Sequence, residues 1–575
     1  MKPRGRGSVK WVVAAEMAAL LAFCFVVGGD PPPGVNEAHY LVKAKNFWDP
    51  QWCQNDLFAA SGKAHLTFYL LLGWPTRWFS LATTAWIGRF VGWTILSAGL
   101  ISLTRSLRLP AGTAWVVAVV WTAGVQWGNL AGEWVIGGIE AKVPAYGLVL
   151  FGLADIVRGR WNTVWLWLGG AAAWHVLTGG WAVVAATFAF AVTHRRHQRY
   201  QGDPERVLGD DADRSRAESP SWILAWLRPS LFVGGLISLA GLLPALAMTA
   251  GATPQESVSA ARTYSYFRIA HHLLPSAFAG WWYLRHALLI LLTVAAMIGW
   301  RQTRTERGRA VRPSDAGELP GATGTPGWDR LAAFGLGAVA VSVTGLLVGT
   351  LPAVAPDLAA KLLRFYWFRL GDAVVPLLLG CAVAGLLTQA AGTVAARWSR
   401  RRIVGAAMLV TATGCCAWST WTQTRDGVPV SVSNQLLGLD ADADFATQRQ
   451  TMRDWLDVCR FVRASTPADA VFLTPRHQQT FKWYAHRAEV VNWKDVPQDV
   501  PSLREWSGRF VEVFPWHLST MRVTIRYPEL RRLRRRYGVT WLIVDRRVVG
   551  PQLPLVQVYP VTPNQNATYA VYQLP

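Results

Sequence analysis

Long blocks with almost no charge dominate this sequence and constrain its fold more than any other feature. About 20 consecutive apolar residues cross a bilayer as a helix, because only a helix satisfies its backbone polar groups there without water. The blocks centre on residues 11–29, 85–103, 112–128, 143–157, 162–174, 177–192, 229–249, 286–300, 330–351, 373–392 and 403–421. They predict about eleven spans, some shorter than a full crossing. Apolar types make up 52% of the 575 residues and charged types 16%, which excludes a disordered chain, a collagen or a disulfide-stapled module.

Basic residues test the spans. Lys plus Arg number 57 and Asp plus Glu 35, a formal net charge of +22. The arginines cluster between apolar blocks, as the positive-inside rule places them, so no nucleic-acid partner is inferred. Lys2, Arg4, Arg6 and Lys10 precede the first block, and Asp30-Pro31-Pro32-Pro33, not a small-residue cleavage site, follows it. This is read as a retained first helix with a cytoplasmic N-terminus. The clusters at Arg105 and Arg108, Arg158 and Arg160, His194 to Arg216, Arg301 to Arg312, and Arg397 to Arg402 then all fall on the cytoplasmic side.

Residues 1–424 are thus expected to form the membrane domain, with outer loops 30–84, 129–142, 250–285 and 352–372. Residues 66–80 hold Pro75 and Arg77 and read as an interfacial or re-entrant helix with Trp74 and Trp78 at headgroup level. Beyond residue 425, strand-like runs at 470–475, 488–493, 538–545, 554–561 and 567–574 alternate with helical segments, predicting an extracytoplasmic α/β domain over 425–575. The basic run Arg531 to Arg536 is a solvated helix face or a contact for anionic headgroups. Cys24, Cys381, Cys415 and Cys416 read as small core residues, and a Cys53–Cys459 bridge is left open. No internal repeat, P-loop, HExxH, GxSxG or CxxC is present.

Ionisable groups beside a membrane need a reason, so the outer loops hold the candidates. In GVNEAHYL, Glu37 is either a base or metal ligand, or an acid favoured at a helix start; a helix over 35–46 brings it against Tyr40. Asp56 is a weaker candidate. In the second loop Glu133 and Glu140 are seven apart, but Gly137-Gly138 argue against one helix; Glu140 is a second acid facing Glu37 across a cavity, or an ion-pair partner of Lys142. His175 lies between two short spans. In the third loop Tyr264, Arg268 and His271 or His272 share one face of a helix, suited to phosphate or sugar hydroxyls. His271 and His272 point apart on a helix and do not chelate one ion together. The fourth loop adds Arg364 and Arg369, the latter spaced to pair with Asp372.

The layout resembles the GT-C superfamily of integral-membrane glycosyltransferases. It shares a first-loop acid directly after the first helix, about eleven spans and a C-terminal extracytoplasmic α/β domain. GGIEAK, WHVLTGG, RIAHHLLP, YWFRLGD and YGVTWLIVD are similar to those of uncharacterised bacterial members. The resemblance implies a polytopic α-helical enzyme of the bacterial inner membrane. It implies a polyprenyl-phosphate sugar donor, an acceptor hydroxyl deprotonated by Glu37, and inversion at the anomeric carbon. Lys142, Arg268 and Arg369 would stabilise the leaving phosphate. Many members carry two adjacent first-loop acids, whereas here Asn36 precedes Glu37; a divalent cation and the choice between Glu37 and Asp56 as base stay open. A transporter or flippase of lipid-linked glycans, and a non-catalytic membrane scaffold, are the alternatives.

Overall fold

The structure is a computed structural model. It describes residues 6–34, 36–201, 226–310, 326–390, 437–514, 526–550, 553–562 and 564–574, and isolated positions between 414 and 421. Ten of the eleven apolar blocks coincide with helices: Arg6–Gly28, Leu81–Ser106, Thr113–Gly128, Lys142–Arg158, Trp161–Trp174, Val176–Gln201, Pro229–Ala247, Gly280–Ala310, Pro326–Val348 and Arg369–Ala390. Seven segments among the described residues are long and apolar enough to cross a membrane. Thr113–Gly128, Lys142–Arg158 and Trp161–Trp174 are shorter. The block at 403–421 and the boundary near 425 lie largely outside the described residues.

Small residues set the helix spacing. Gly88, Gly92 and Gly99 line one face of Leu81–Ser106. A Cβ at Gly88 would meet Ile139 Cγ1 at 2.9 Å, one at Gly92 would meet Val143 Cγ1 at 2.9 Å, and one at Gly99 would meet Leu150 Cβ at 2.8 Å. Close backbone approach of this kind is how helices associate where lipid removes the hydrophobic drive between them. Here it seats the entry to Lys142–Arg158, and the loop before it, against Leu81–Ser106.

The two ends of the bundle differ. At one end Arg105 pairs with Glu16, Arg158 Nη1 donates to Ser102 Oγ at 3.3 Å, and Arg301 pairs with Asp329. At the other end the four loops meet one another and the C-terminal domain. Expectation and structure part within two loops. Residues 66–80 form a short helix, Leu66–Leu71, and a 3₁₀ turn, Trp74–Arg77, rather than one interfacial helix. A methyl at Gly73 would strike Ala44 Cβ at 2.6 Å, so the chain turns tightly against Glu37–Trp48 there. Trp74 and Trp78 are exposed and in edge contact. The third loop is a helix, Pro254–Arg262, that widens into a π turn, Thr263–Arg268, before Ala270–Leu273, which breaks the single predicted face.

The C-terminal domain holds a five-stranded sheet: β1 Val471–Leu473, β2 Ala488–Glu489, β3 Trp541–Asp545, β4 Val556–Tyr559 and β5 Tyr569–Gln573. Their order is β2-β1-β3-β5-β4, with β2, β1 and β3 parallel and β5 antiparallel to both β3 and β4. Helices Phe445–Ser465, Val500–Val513 and Tyr527–Tyr537 accompany it, and Trp455, Trp506 and Phe510 fill its cores. Cys24, Cys53, Cys381 and Cys459 are buried free thiols, so Cys53 and Cys459 are not bridged.

Candidate functional site

Glu37 opens the helix Glu37–Trp48 and is wholly buried. Arg89 donates from Nε to Oε1 and from Nη2 to Oε2, both at 2.6 Å. The backbone N–H of Gly34 reaches Oε2 at 2.6 Å and that of Ile139 reaches Oε1 at 2.8 Å. Four donors engage the two oxygens, and a Cβ on Gly138 would sit 2.8 Å from the carboxyl carbon. In this geometry Glu37 ties the first loop, the span Leu81–Ser106 and the second loop together. No cavity separates it from the second loop, whose backbone it touches.

The clamp fixes the loop that carries Glu133 and Glu140. Glu133 is buried; it pairs with Lys142, accepts from Trp134 N at 2.9 Å, and lies 2.8 Å from Arg369 Nε. Burial pushes its carboxyl up, but the Lys142 and Arg369 cations overcome that and hold it below the usual range. Glu140 accepts from the Asn36 amide and lies 3.8 Å from Lys142 Nζ. Lys142 also sits 4.1 Å over the Trp134 ring.

Arg369 links this loop to the others. Its Nη1 is 3.3 Å from His175 Nε2, and its guanidinium lies 4.2 Å from the Tyr366 ring centre. His175 stacks on His65 at 5.5 Å, and His65 Nε2 is 3.3 Å from Tyr40 Oη. Tyr366 and Tyr264 share a hydroxyl contact at 3.0 Å, with Arg364 5.4 Å from the Tyr264 ring centre. Arg268 donates to the Trp493 carbonyl at 2.6 Å and lies 4.7 Å from that indole, so the C-terminal domain closes one side. Burial lowers Arg268 to about 10. Burial, with Arg268 nearby, also lowers the Lys494 ammonium, which feels the charge of Glu140 and Lys142. His271 and His272 are in ring contact, and His272 Nδ1 lies 2.6 Å from the Ala131 carbonyl. Asn36, His65, Tyr264, Arg364, Tyr366, Arg369 and Lys494 are half-buried.

The structure therefore gathers Tyr40, Glu140, Lys142, His175, Tyr264, Arg268, His271, His272, Arg364 and Arg369 at one end of the bundle. Two expected placements change. Asp56 caps Leu57–Ala60 through Ala59 N at 2.8 Å, accepts from Glu489 N at 3.1 Å and lies 3.4 Å from Lys482 Nζ; it is a buried contact to the C-terminal domain. Arg369 pairs with Glu133, not with Asp372, whose oxygens accept Leu130 N at 2.9 Å and Ala131 N at 3.0 Å. Four further residues, Arg89, His65, Tyr366 and Lys494, join the cluster without having been expected there. Arg89 had a signal, being an arginine inside an apolar block. The other three had none, because only the fold brings them to the acids.

Among the described residues no three His, Cys, Asp or Glu side chains converge as ligands, and the carboxylates of Glu133 and Glu37 are already matched by cations.

A domain of unknown function (DUF6798) matches residues 453–513, the segment that includes Trp493 and Lys494. No curated protein matches the sequence. Among solved structures, an archaeal oligosaccharyltransferase, AglB from Archaeoglobus fulgidus, in complex with an inhibitory peptide and a dolichol-phosphate, is similar over 94% of this chain and 70% of its own. The TM-score is 0.38 and the identity 11%, too loose an overlap to transfer a residue or an activity.

Proposed function

We propose that this chain is a glycosyltransferase of the bacterial inner membrane, moving a sugar from a polyprenyl-phosphate donor to an acceptor hydroxyl at the outer face. The observation that carries the reading is a buried charge cluster at one end of a bundle of long apolar helices, in which Lys142 lies beside both Glu140 and Glu133 and Arg369 pairs with Glu133. Glu140 takes the acceptor proton as the hydroxyl oxygen attacks the anomeric carbon. The bond from that carbon to the donor phosphate breaks, and the phosphate leaves with the electron pair, inverting the centre. Arg268, Arg364, Arg369 and Lys494 stabilise its charge, the largest electrostatic contribution in such a site. Tyr40, His65 and His175 form an aromatic wall suited to a sugar face. Glu37 acts through the loop it holds, as a positioning residue.

The test uses the full chain in nanodiscs with a panel of radiolabelled polyprenyl-phosphate sugars. Glu140→Gln lowers transfer about 10²–10⁴-fold, the usual worth of a positioned base, while donor binding persists. Transfer undiminished in that variant overturns the assignment. Lipid translocation without any bond formation favours a flippase instead.

A further inference from the structure

A second concave site lies apart from the helix-end cluster. A cleft of about 520 Å³ opens between the third loop and the C-terminal domain. Its walls come from Pro254–Arg262 with the start of the π turn, from Val500–Val513, and from Tyr527–Tyr537; Thr263, Arg504, Gly508, Glu512, Arg532 and Arg536 line it. The volume falls in the range of small-molecule pockets, about 300–1,000 Å³.

Its charge is net positive. Arg532 Nε lies 3.3 Å from Glu512 Oε1 and Arg536 Nη1 lies 3.2 Å from Oε2, so one carboxylate holds two guanidiniums side by side. Tyr537 Oη donates to the same carboxylate at 2.6 Å, which fixes it further. Arg504 joins from the facing helix and pairs with Glu256. Three guanidiniums thus stand against two carboxylates. All three are about half exposed, with side-chain values of 48%, 56% and 59%, so their remaining N–H groups are open to a ligand. Planar forks held at fixed spacing suit the several oxygens of a phosphate better than a single-point contact. Among the described residues, nothing lies within 4 Å of a Cβ built on Gly508, so the floor is open.

We propose that this cleft binds a phosphate group, carried either by a soluble phosphate ester or by a lipid headgroup. It goes beyond the glycosyl-transfer reading and does not depend on it. The headgroup source has a geometric basis, since Pro254–Arg262 follows closely on the span ending at Ala247.

The probe is inorganic pyrophosphate, titrated calorimetrically into the full chain in phosphatidylcholine nanodiscs. Arg532→Gln with Arg536→Gln weakens binding about tenfold or more, the scale of one charge-assisted hydrogen bond. Gly508→Glu, which puts an anion on the open floor and leaves every arginine in place, does the same and covers a folding defect in the first variant. Arg531→Gln with Arg535→Gln, on the same helix but outside the cleft, changes affinity by no more than about twofold, as solvated charges do. Repeating the titration in phosphatidylglycerol nanodiscs separates the sources: competition identifies the headgroup, and unchanged affinity identifies a soluble ester. No pyrophosphate binding, binding indifferent to both cleft variants, or equal weakening by the Arg531/Arg535 pair overturns the proposal.

Discussion

Arg89 holds both carboxylate oxygens of Glu37 at 2.6 Å in a pair with almost no exposed surface. Breaking such a pair strands a buried charge and costs about 3–5 kcal/mol, whereas removing both partners costs far less. Arg89→Met and Glu37→Met should each lower the unfolding temperature in detergent sharply, and the double variant should recover much of the loss. Additive losses in that cycle would contradict a direct pair.

The second loop lies tightly on that clamp. Gly138→Ala places a methyl 2.8 Å from the Glu37 carboxyl carbon, with no room for a small adjustment because Arg89 and Ile139 fix the carboxylate. A destabilisation of about 1–3 kcal/mol is expected from such overpacking. Under the proposed reading, kcat falls with it, since Glu140 lies two residues on. A fully stable, fully active Gly138→Ala protein would mean that the loop is not held this way.

Lys482 joins the first loop to the C-terminal domain. Its ammonium lies 2.5 Å from Glu489, 2.7 Å from Asp495 and 3.4 Å from Asp56, all buried. Burial alone lowers an ammonium, but these three acids overcome it and hold Lys482 well above its ordinary range. Lys482→Met leaves three buried carboxylates without their cation. Protease cutting within residues 437–514 should then become much faster than in the parent, by the several kcal/mol of an unpaired buried charge. Unchanged cutting would argue that Lys482 is not the tie.

Acid should weaken the loop-bearing end. Burial, with His39, Lys43 and Arg369 nearby, lowers His65 to about 3; burial, with His271 beside it, lowers His272 to about 3. A histidine held neutral in the folded state is protonated first in the unfolded chain, near pH 6.5. Its stabilisation is complete above that pH and is lost as pH falls from there toward 3, at about 1.4 kcal/mol per pH unit for each group. Unfolding temperature measured from pH 7.5 to 5 should drop, and His65→Gln with His272→Gln should flatten the slope. An identical slope in the variant would contradict the two buried neutral rings.

Much of the architecture is legible in residue order. Local features decide it: apolar runs long enough to need lipid set the helices, arginine clusters mark one end of the bundle, and alternating β-branched and aromatic residues mark all five strands. Candidate loops are legible for the same reason, since Glu140, Lys142, Arg268, Arg364 and Arg369 are charges beside apolar blocks. What each charge does is not legible. Glu37 and Glu140 look alike in sequence, yet Arg89, fifty-two positions from Glu37, points its guanidinium at Glu37, while Glu140 lies beside Lys142 and Asn36. Pairing of buried charges depends on distances across the folded chain, and those are set by glycine contacts between helices and by the docking of Trp493 over Arg268. Chemistry at this end of the molecule therefore belongs to the tertiary structure, while residue order alone dictates that charged groups gather beside long apolar helices at all.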